Sequence, residues 1–478
     1  MNVALFAVNG GYTHTNLAIR CLRRCLEADG FPVTLIEHNL RDRTDVMLDA
    51  LAAAEADVYG FSCYIWNLPL MLTLAADLKA IRPDAVIWFG GPEVSYDTDR
   101  FAQMLGSHVD YIISGEGEGA VSALVRTLAD GNPPADRILY GTPAPLMEGI
   151  AYSDEEDLRG RLVYYESARG CPFACSYCLS SRTPGVRAKP AETVIADLRR
   201  FEGRGVRTVK LVDRTFNFSP SRANAIWRAL LADDWQGEYH FEICASLLDE
   251  ESMEILAQMP PGRVRLEVGL QSTNPQTLSA VNRRIDPEAV ISRLERLHRE
   301  SGGHIHLDLI AGLPHEDYTR FAQSFDEAYF CCDVLQLGHL KLLHGTELRR
   351  RAEEYGYTCT ERPPYAVLAN RWMRYEELRR LDGIADLLER YRDSGRFDRA
   401  LGVLISRDCS PFSRWEGLLD YIDSTDGRPI SRISQPDAYR LLFGYAGTIL
   451  VQAELAAFDA ALRADYAAAE VRGSRIPW

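Results

Sequence analysis

The stretch Ser167-Ala-Arg-Gly-Cys-Pro-Phe-Ala-Cys-Ser-Tyr-Cys-Leu-Ser180 decides the fold. It sets Cys171, Cys175 and Cys178 in one short loop, spaced C-x3-C-x2-C, with an aromatic directly before the last. A site that needs four thiolates would be one ligand short. A 4Fe–4S cluster held by three cysteines instead keeps one iron open, and an open iron can bind a substrate. Three thiols placed by chance, or a three-ligand zinc site, are the plainer readings. Gly170-Cys-Pro ahead of the set and Tyr177 within it weigh against both. Cys171, Cys175 and Cys178 are therefore the expected metal ligands.

Composition bounds the rest. At 478 residues the chain should hold two or three domains. Its 46% hydrophobic and 25% charged content is ordinary for a soluble globular protein. A net charge of −15 argues against a general basic surface for nucleic acid. The opening residues, Met1 to Gly10, read as a strand running into a turn rather than a secretory leader. Eleven cysteines, scattered outside the one loop, fit free thiols in a reducing cytoplasm. Cys21 with Cys25, and Cys331 with Cys332, read as small buried apolar residues. The uncharged run from Val58 to Ala76 is nearly long enough to cross a bilayer, but Gly60, Asn67 and Pro69 split it into strand, turn and helix. No membrane span is expected.

Residues 1–135 alternate short apolar strands with amphipathic helices, the pattern of a doubly wound, Rossmann-like parallel sheet. Strands are expected at Val3–Val8, Val33–Glu37, Val58–Phe61, Val86–Phe89 and Tyr111–Ser114. A helix should run from Thr15 to Ala28, capped by Thr15 or Asn16 and stopped by Gly30. Residues 136–158, rich in Pro, Gly and acidic side chains, read as a linker. Residues 159–350 alternate again, with strands at Leu162–Ser167, Thr208–Val212, Tyr239–Ala245, Arg263–Val268, His304–Ile310 and Val334–Leu337. Six βα units with the cysteine loop after the first strand imply a partial (β/α) barrel. Residues 351–478 read as a mainly helical cap, with helices over Glu376–Tyr391 and Gln452–Arg472.

The cysteine loop closely resembles that of the radical S-adenosylmethionine (SAM) enzymes. The rim of the first sheet resembles the cobalamin-binding domain that precedes the barrel in one large class of them. That second likeness rests on Gly90-Gly-Pro-Glu93, Gly115-Glu-Gly-Glu118 and Ser62. It implies that cobalamin is contacted by Tyr12, His14, Ser62, Tyr64, Trp66, Gly90, Gly91, Pro92, Glu93, Gly115, Glu116 and Gly117. The loop after the first strand, Asn9-Gly-Gly-Tyr-Thr-His-Thr-Asn16, lacks the Asp-x-His-x-x-Gly that supplies a lower cobalt ligand in other cobalamin enzymes. His14 is therefore expected as a loop residue, with Tyr64 or Trp66 facing the cobalt. Gly115-x-Gly117-x-x-Ala120 also mimics a dinucleotide fingerprint, but it follows the last strand, and Glu116 and Glu118 would repel a pyrophosphate.

In the barrel the resemblance implies SAM contacts from Phe173 and Tyr177 in the loop. It adds Asp213 and Asn217 after the second strand, Glu242 on the third, Glu267 and Gln271 on the fourth, and Ile310 and Gly312 on the fifth. An ion-pair network is the alternative role for Asp213, Arg214 and Glu267, and Asp308 is read as a brace of the barrel floor. His306, His339 and His344 are as readily packed or solvated as functional. Tyr12-Thr-His-Thr-Asn-Leu-Ala, Asp213-Arg-Thr-Phe-Asn and Gly338-His-Leu-Lys-Leu-Leu-His-Gly-Thr346 look like one subgroup with an uncharacterised C-terminal domain. The implied activity is reductive cleavage of SAM at the 4Fe–4S cluster and methyl transfer through methylcobalamin to an unactivated carbon. Rearrangement or cyclisation without methyl transfer stays open. A tRNA methylthiotransferase fits less well, because Cys21, Cys25 and Cys63 lack the spacing for a second cluster. The implied partner is an external one-electron donor of the flavodoxin or ferredoxin type.

Overall fold

The computed structural model describes residues 1–183, 185–232, 234–469, 476 and 478. The chain divides into two compact units: residues 1–242 with 342–350 and 360–365, and residues 243–341 with 351–359 and 366–478.

The first unit begins with a parallel sheet of β1 (Val3–Asn9), β2 (Val33–Asn39), β3 (Val58–Ser62), β4 (Val86–Gly90), β5 (Tyr111–Ser114) and β6 (Ile138–Tyr140), in the order β2-β1-β3-β4-β5-β6. Helices α1 (Leu17–Ala28), α2 (Thr44–Ala53), α3 (Leu68–Ile81), α4 (Thr98–Met104) and α5 (Gly117–Ala129) connect the strands. Alternate strand residues feed two apolar layers. Phe6, Tyr59, Phe61 and Phe89 pack with Met71 and Leu74 on one face, and Leu5, Val58 and Trp88 pack with Ile19, Val121 and Leu124 on the other. Asn16 caps α1 by accepting from the Ile19 amide, and Gly30 follows the helix at φ +86°. The sixth strand comes from residues expected as linker. Much of the remainder of that stretch is packed: Arg24 donates to the Ile150 carbonyl, and Arg23 pairs with Glu156 at 2.8 Å.

Three further parallel strands of this unit are β7 (Leu162–Tyr165), β10 (Thr208–Leu211) and β11 (Glu238–Ile243), with α6 (Ala191–Gly203) and α7 (Pro220–Ala232) between them. β7 ends at Tyr165, short of the expected Ser167. The chain then forms an antiparallel hairpin, β8 (Ala168–Cys171) and β9 (Gly185–Ala188), which closes the cysteine loop. Tyr165 packs on Phe201, and Phe241 on Trp227, so one face of these strands lies under α6 and α7.

In the second unit, β12 (Val264–Gln271), β13 (His304–Ala311) and β14 (Val334–His339) are parallel, with β13 in the middle. Helices α8 (Glu250–Ala257), α9 (Pro275–Ala280), α10 (Pro287–Glu300) and α11 (Tyr318–Tyr329) alternate with them. In the first unit, α12 (Glu347–Arg350) follows. A short antiparallel pair in the second unit, β15 (Thr358–Cys359) and β16 (Val367–Ala369), leads to α13 (Tyr375–Leu387), α14 (Asp398–Leu404), α15 (Pro411–Thr425), α16 (Gln435–Ile449) and α17 (Gln452–Ala468). The helix expected over Gln452–Arg472 is described as far as Ala469, and its last residues lie outside the described ones. No described helix is long and apolar enough to cross a membrane.

A buried acid holds the second unit's loops. Glu316 has no exposed surface; one oxygen accepts from Ser272 Oγ at 2.6 Å and Ser324 Oγ at 2.8 Å, and the other has no partner. Burial pushes its carboxyl up to about 7, with the two hydroxyls pulling the other way. The native state therefore keeps a proton that the unfolded chain releases at ordinary carboxylate pH, so stability falls as pH rises through the window up to about 7. The loss across that window is about 3 kcal/mol. Glu316→Gln should remove that pH dependence, seen as urea midpoints that change less between pH 5 and pH 8 than those of the parent chain.

Candidate functional site

Topology places the first site. In the order β2-β1-β3-β4, successive connections leave in opposite directions at β1 and β3, and a doubly wound sheet binds ligands in the crevice at that switch point. The loop after β1 brings Tyr12 and His14 there, and the loop after β3 brings Tyr64 and Trp66. Tyr64 and Trp66 stack with centroids 4.4 Å apart and planes 10° from parallel, and Trp66 stays 49% exposed. Tyr12 is 79% exposed, and Gly10 has open space where a Cβ would stand. A flat apolar pair beside an open glycine loop fits a planar macrocycle.

Two residues absent from the expected set organise this rim. Asn67 is fully buried, accepts from the Tyr64 amide, and donates to the carbonyls of Val8 and Ser62, so it joins the ends of β1 and β3. Ser95 donates to the Gly91 carbonyl, accepts from the Gly115 amide, and its own carbonyl accepts from Ser114, joining the loops after β4 and β5. Gly91 has φ +120°, and a Cβ there would lie 2.4 Å from the Cys63 carbonyl oxygen. Ser62 is buried at the end of β3, Gly90 ends β4, and Pro92 is exposed beside them. Gly115 and Gly117 flank Glu116 at the start of α5.

Several expected contacts are committed elsewhere. Glu93 is buried and accepts from the Tyr365 hydroxyl at 2.6 Å, so it anchors residues 360–365 rather than lining the crevice. Burial pushes its carboxyl up. Glu116 pairs with Arg169 at 2.8 Å and with Arg187. Burial alone would raise its carboxyl, but Arg187, the Ala144 amide and Arg169 together hold it below the ordinary range. His14 shares a 2.7 Å hydrogen bond with Tyr164 through Nδ1, and its backbone bridges to Leu162. Burial, then Lys210 and Arg161, lowers its pKa, so the ring is neutral near pH 7.

The cysteine loop lies in the same unit. Cys175 is buried and Cys171 and Cys178 half-buried, all as free thiols. Cys171 Sγ is 3.4 Å from Thr215 Oγ1, and the Cys178 amide donates to the Cys175 carbonyl. Among the described residues no three His, Cys, Asp or Glu side chains converge as the ligands of one metal ion. Three cysteines in one loop suit a cubane, which binds each to a different iron, better than zinc, which takes four ligands in a structural site. Gly170 at φ +98° has no room for a side chain, since a Cβ would lie 2.0 Å from the Gly185 carbonyl oxygen. Phe173 and Tyr177 are half-buried in the loop. The Leu348 amide donates to the Ser176 carbonyl, and Gly345 packs on Tyr96, so residues 342–350 lie against the loop and the sheet's β4 rim together.

Asp213 corrects the expected SAM contact. Its Oδ1 accepts from the Ser167 and Ala168 amides at 2.8 and 2.9 Å, and its Oδ2 from the Ser167 hydroxyl. Both oxygens brace the entry to the hairpin. Asn217 is buried nearby, and Glu242 faces Arg214 at 3.7 Å.

The barrel strands alternate buried and part-exposed residues. Parallel strands covered on both faces read as continuous apolar runs, so the polar face here borders a ligand or water. In the first unit that face carries Tyr164, Lys210 and His240 side by side in register. In the second it carries Glu267 beside His306, and Asp308 beside Gln336. The period-2 alternation behind this face is visible in the sequence of each strand. Gln271 ends β12 at φ +74°, with a buried amide oxygen that has no partner, and such strain commonly marks a ligand site. Ile310 lies on β13's part-exposed face. The Gly312 carbonyl accepts from Tyr357 Oη at 2.9 Å and Asn370 Nδ2 at 2.8 Å. His339 is packed between Asp382 and the Val367 carbonyl, and His344 between Asp97 and Arg100.

Comparison with known proteins finds three family matches along the chain. Residues 4–125 match the B12-binding domain, 165–328 the radical SAM superfamily, and 353–478 a protein family of unknown function, DUF4080. The chain is 26% identical over 311 residues to a 2-(S-pantetheinyl)-carbapenam-3-carboxylate methyltransferase of Streptantibioticus cattleyicolor, covering 57% of this chain and 44% of that one. It thus spans less than half the length of that relative. Among solved structures, the radical SAM methyltransferase TsrM of Kitasatospora setae, with cobalamin and a 4Fe–4S cluster bound, superposes with a TM-score of 0.63 at 17% identity over 87% of this chain and 98% of that one. The cobalamin-dependent radical SAM enzyme OxsB gives 0.66 at 13% identity over 98% and 84%. At these identities the likeness concerns the fold.

Gly170→Ala should open the cysteine hairpin. Iron after anaerobic reconstitution should drop from about four per chain to fewer than about two, measured as iron and sulfide content.

Proposed function

Because the chain belongs to the cobalamin-dependent radical SAM proteins, we propose that it is a methyltransferase acting on an unactivated carbon of its substrate. When bound, the cluster supplies the electron that cleaves SAM to a 5′-deoxyadenosyl radical, and cobalamin supplies the methyl carrier. The observation that carries this reading is contact within one unit between the crevice of the sheet and the barrel strands and hairpin: His14 with Tyr164, and Glu116 with Arg169. A substrate at that junction is within reach of both cofactor sites, so hydrogen abstraction and methyl capture can act on one atom.

Cys171, Cys175 and Cys178 hold the cluster. In the first unit Asn217 and Glu242 stand as SAM contacts, with Phe173 and Tyr177 shielding the loop from water. The stacked Tyr64 and Trp66 carry the corrin, and Tyr12, Ser62, Gly90, Gly91, Pro92, Gly115 and Gly117 border it. His14 acts as a clasp to β7 through its Nδ1 bond with Tyr164 and its backbone bridge to Leu162. An external flavodoxin- or ferredoxin-type protein supplies the electron, because the cysteines outside the loop are scattered.

Cobalamin bound by the purified protein should have its own base displaced. His14→Ala should leave the lower-face spectrum of reduced cobalt unchanged; loss of a nitrogen hyperfine signal in that variant would show ligation instead. Anaerobic turnover should yield 5′-deoxyadenosine and S-adenosylhomocysteine in about equal amounts, with methyl-labelled SAM labelling the product. Product formed with 5′-deoxyadenosine but without S-adenosylhomocysteine would favour rearrangement or cyclisation.

A further inference from the structure

Arg169 lies on β8, two residues ahead of Cys171, and its guanidinium meets three carboxylates. It reaches Glu116 at 2.8 Å, Glu118 at 2.7 Å and Glu166 at 2.6 Å. Across the hairpin its register partner is Arg187. Two like charges directly opposite on paired strands repel. Glu116 resolves this by pairing with both arginines. All these side chains are largely buried, so removing one partner would strand a charge in a poorly hydrated place.

The two acids from the sheet flank Gly117, at the start of α5, in the loop assigned to the cobalamin rim. That loop has little slack. Gly115 sits at φ +88°, with its amide on Ser95 Oγ. A Cβ on Gly141 would lie 1.7 Å from the Glu116 carbonyl oxygen, and the Glu116 side chain also accepts from the Ala144 amide at 2.9 Å. At the other end, Gly170 separates Arg169 from Cys171 and is pressed against the Gly185 carbonyl. A displacement of the Gly115–Gly117 backbone is therefore passed through Glu116 and Glu118 to Arg169, and through Gly170 to the first cluster cysteine.

We propose that Arg169 is a positioning residue that couples cobalamin loading at the sheet to the cluster on the hairpin. The proposal rests on the cofactor assignments above. Coupling between two binding sites is reciprocal: the factor by which the cluster changes cobalamin affinity equals the factor by which cobalamin changes the cluster's stability in its site. Tight packing between the two loops makes that factor measurable, whereas an ion network with only a folding role would alter stability and leave the two cofactors independent.

The test measures the cobalamin dissociation constant by absorbance, anaerobically, on cluster-free and cluster-reconstituted full-length protein. The cluster's EPR signal and midpoint potential are recorded with and without cobalamin. The parent chain should bind cobalamin about tenfold more tightly once the cluster is present, and its EPR signal should shift on cobalamin addition. In Arg169→Gln the ratio should fall to within about twofold and the shift should vanish, with Arg169→Lys partly restoring both. Glu118→Gln leaves the hairpin sequence intact, and it should lower the ratio even if Arg169→Gln fails to hold a cluster. Equal affinities in a parent chain that holds both cofactors, or full coupling retained in Arg169→Gln or in Glu118→Gln, would overturn the proposal. A parent chain that takes up no cluster or no cobalamin would overturn the cofactor assignments themselves.

Discussion

Asp213 sits at the end of β10, 1% exposed, and both its oxygens are taken by the chain as it leaves β7. Burying a carboxylate is costly unless donors replace the lost water. Here two amides and a hydroxyl do so, and Arg222 adds a positive charge nearby while donating to Ser167 Oγ at 2.7 Å. Burial still outweighs them and raises the group to about 6, a residual penalty of about 3 kcal/mol. The acid is nevertheless ionised at neutral pH. Because its acceptors fix the Ser167 and Ala168 amides, the direction in which the hairpin departs, and hence the location of the three cysteines, follows from this one group.

The first sheet is then tied to the rest of its unit at three separate strand ends. After β1, His14 joins Tyr164; after β4, Glu93 joins Tyr365; after β5, Glu116 and Glu118 join Arg169. These pairs differ from exposed ones such as Arg43 with Asp45, which stand in water and contribute little to stability. Each partly buried tie is directional, and together they over-determine the rim. A site built to hold two cofactors at a set separation needs that rigidity, since small misplacements of reacting groups cost large factors in rate.

The rim also divides labour between side chains and backbone. Glycines at positions 91 and 115 let loops approach one another where a Cβ would collide or strain. Asn67 and Ser95 stitch those loops with hydrogen bonds, and Tyr64 with Trp66 supplies the apolar surface. The carboxylates nearest the rim serve as structural acids.

Local pattern in the sequence was enough for the doubly wound sheet, the cysteine loop, the glycine rim and the family resemblance. Strand alternation, caps and the C-x3-C-x2-C spacing act between residues a few positions apart. What Asp213, Glu116 and Glu93 do was decided only by the tertiary structure, because their partners lie 46, 53 and 272 positions away. The same holds for residues 136–158, whose composition suggests a linker but whose strand and arginine contacts exist only once β5 and α1 are in place. A carboxylate on a glycine-rich loop reads identically whether it meets a ligand or an arginine, and the choice depends on which distant strand the topology brings beside it.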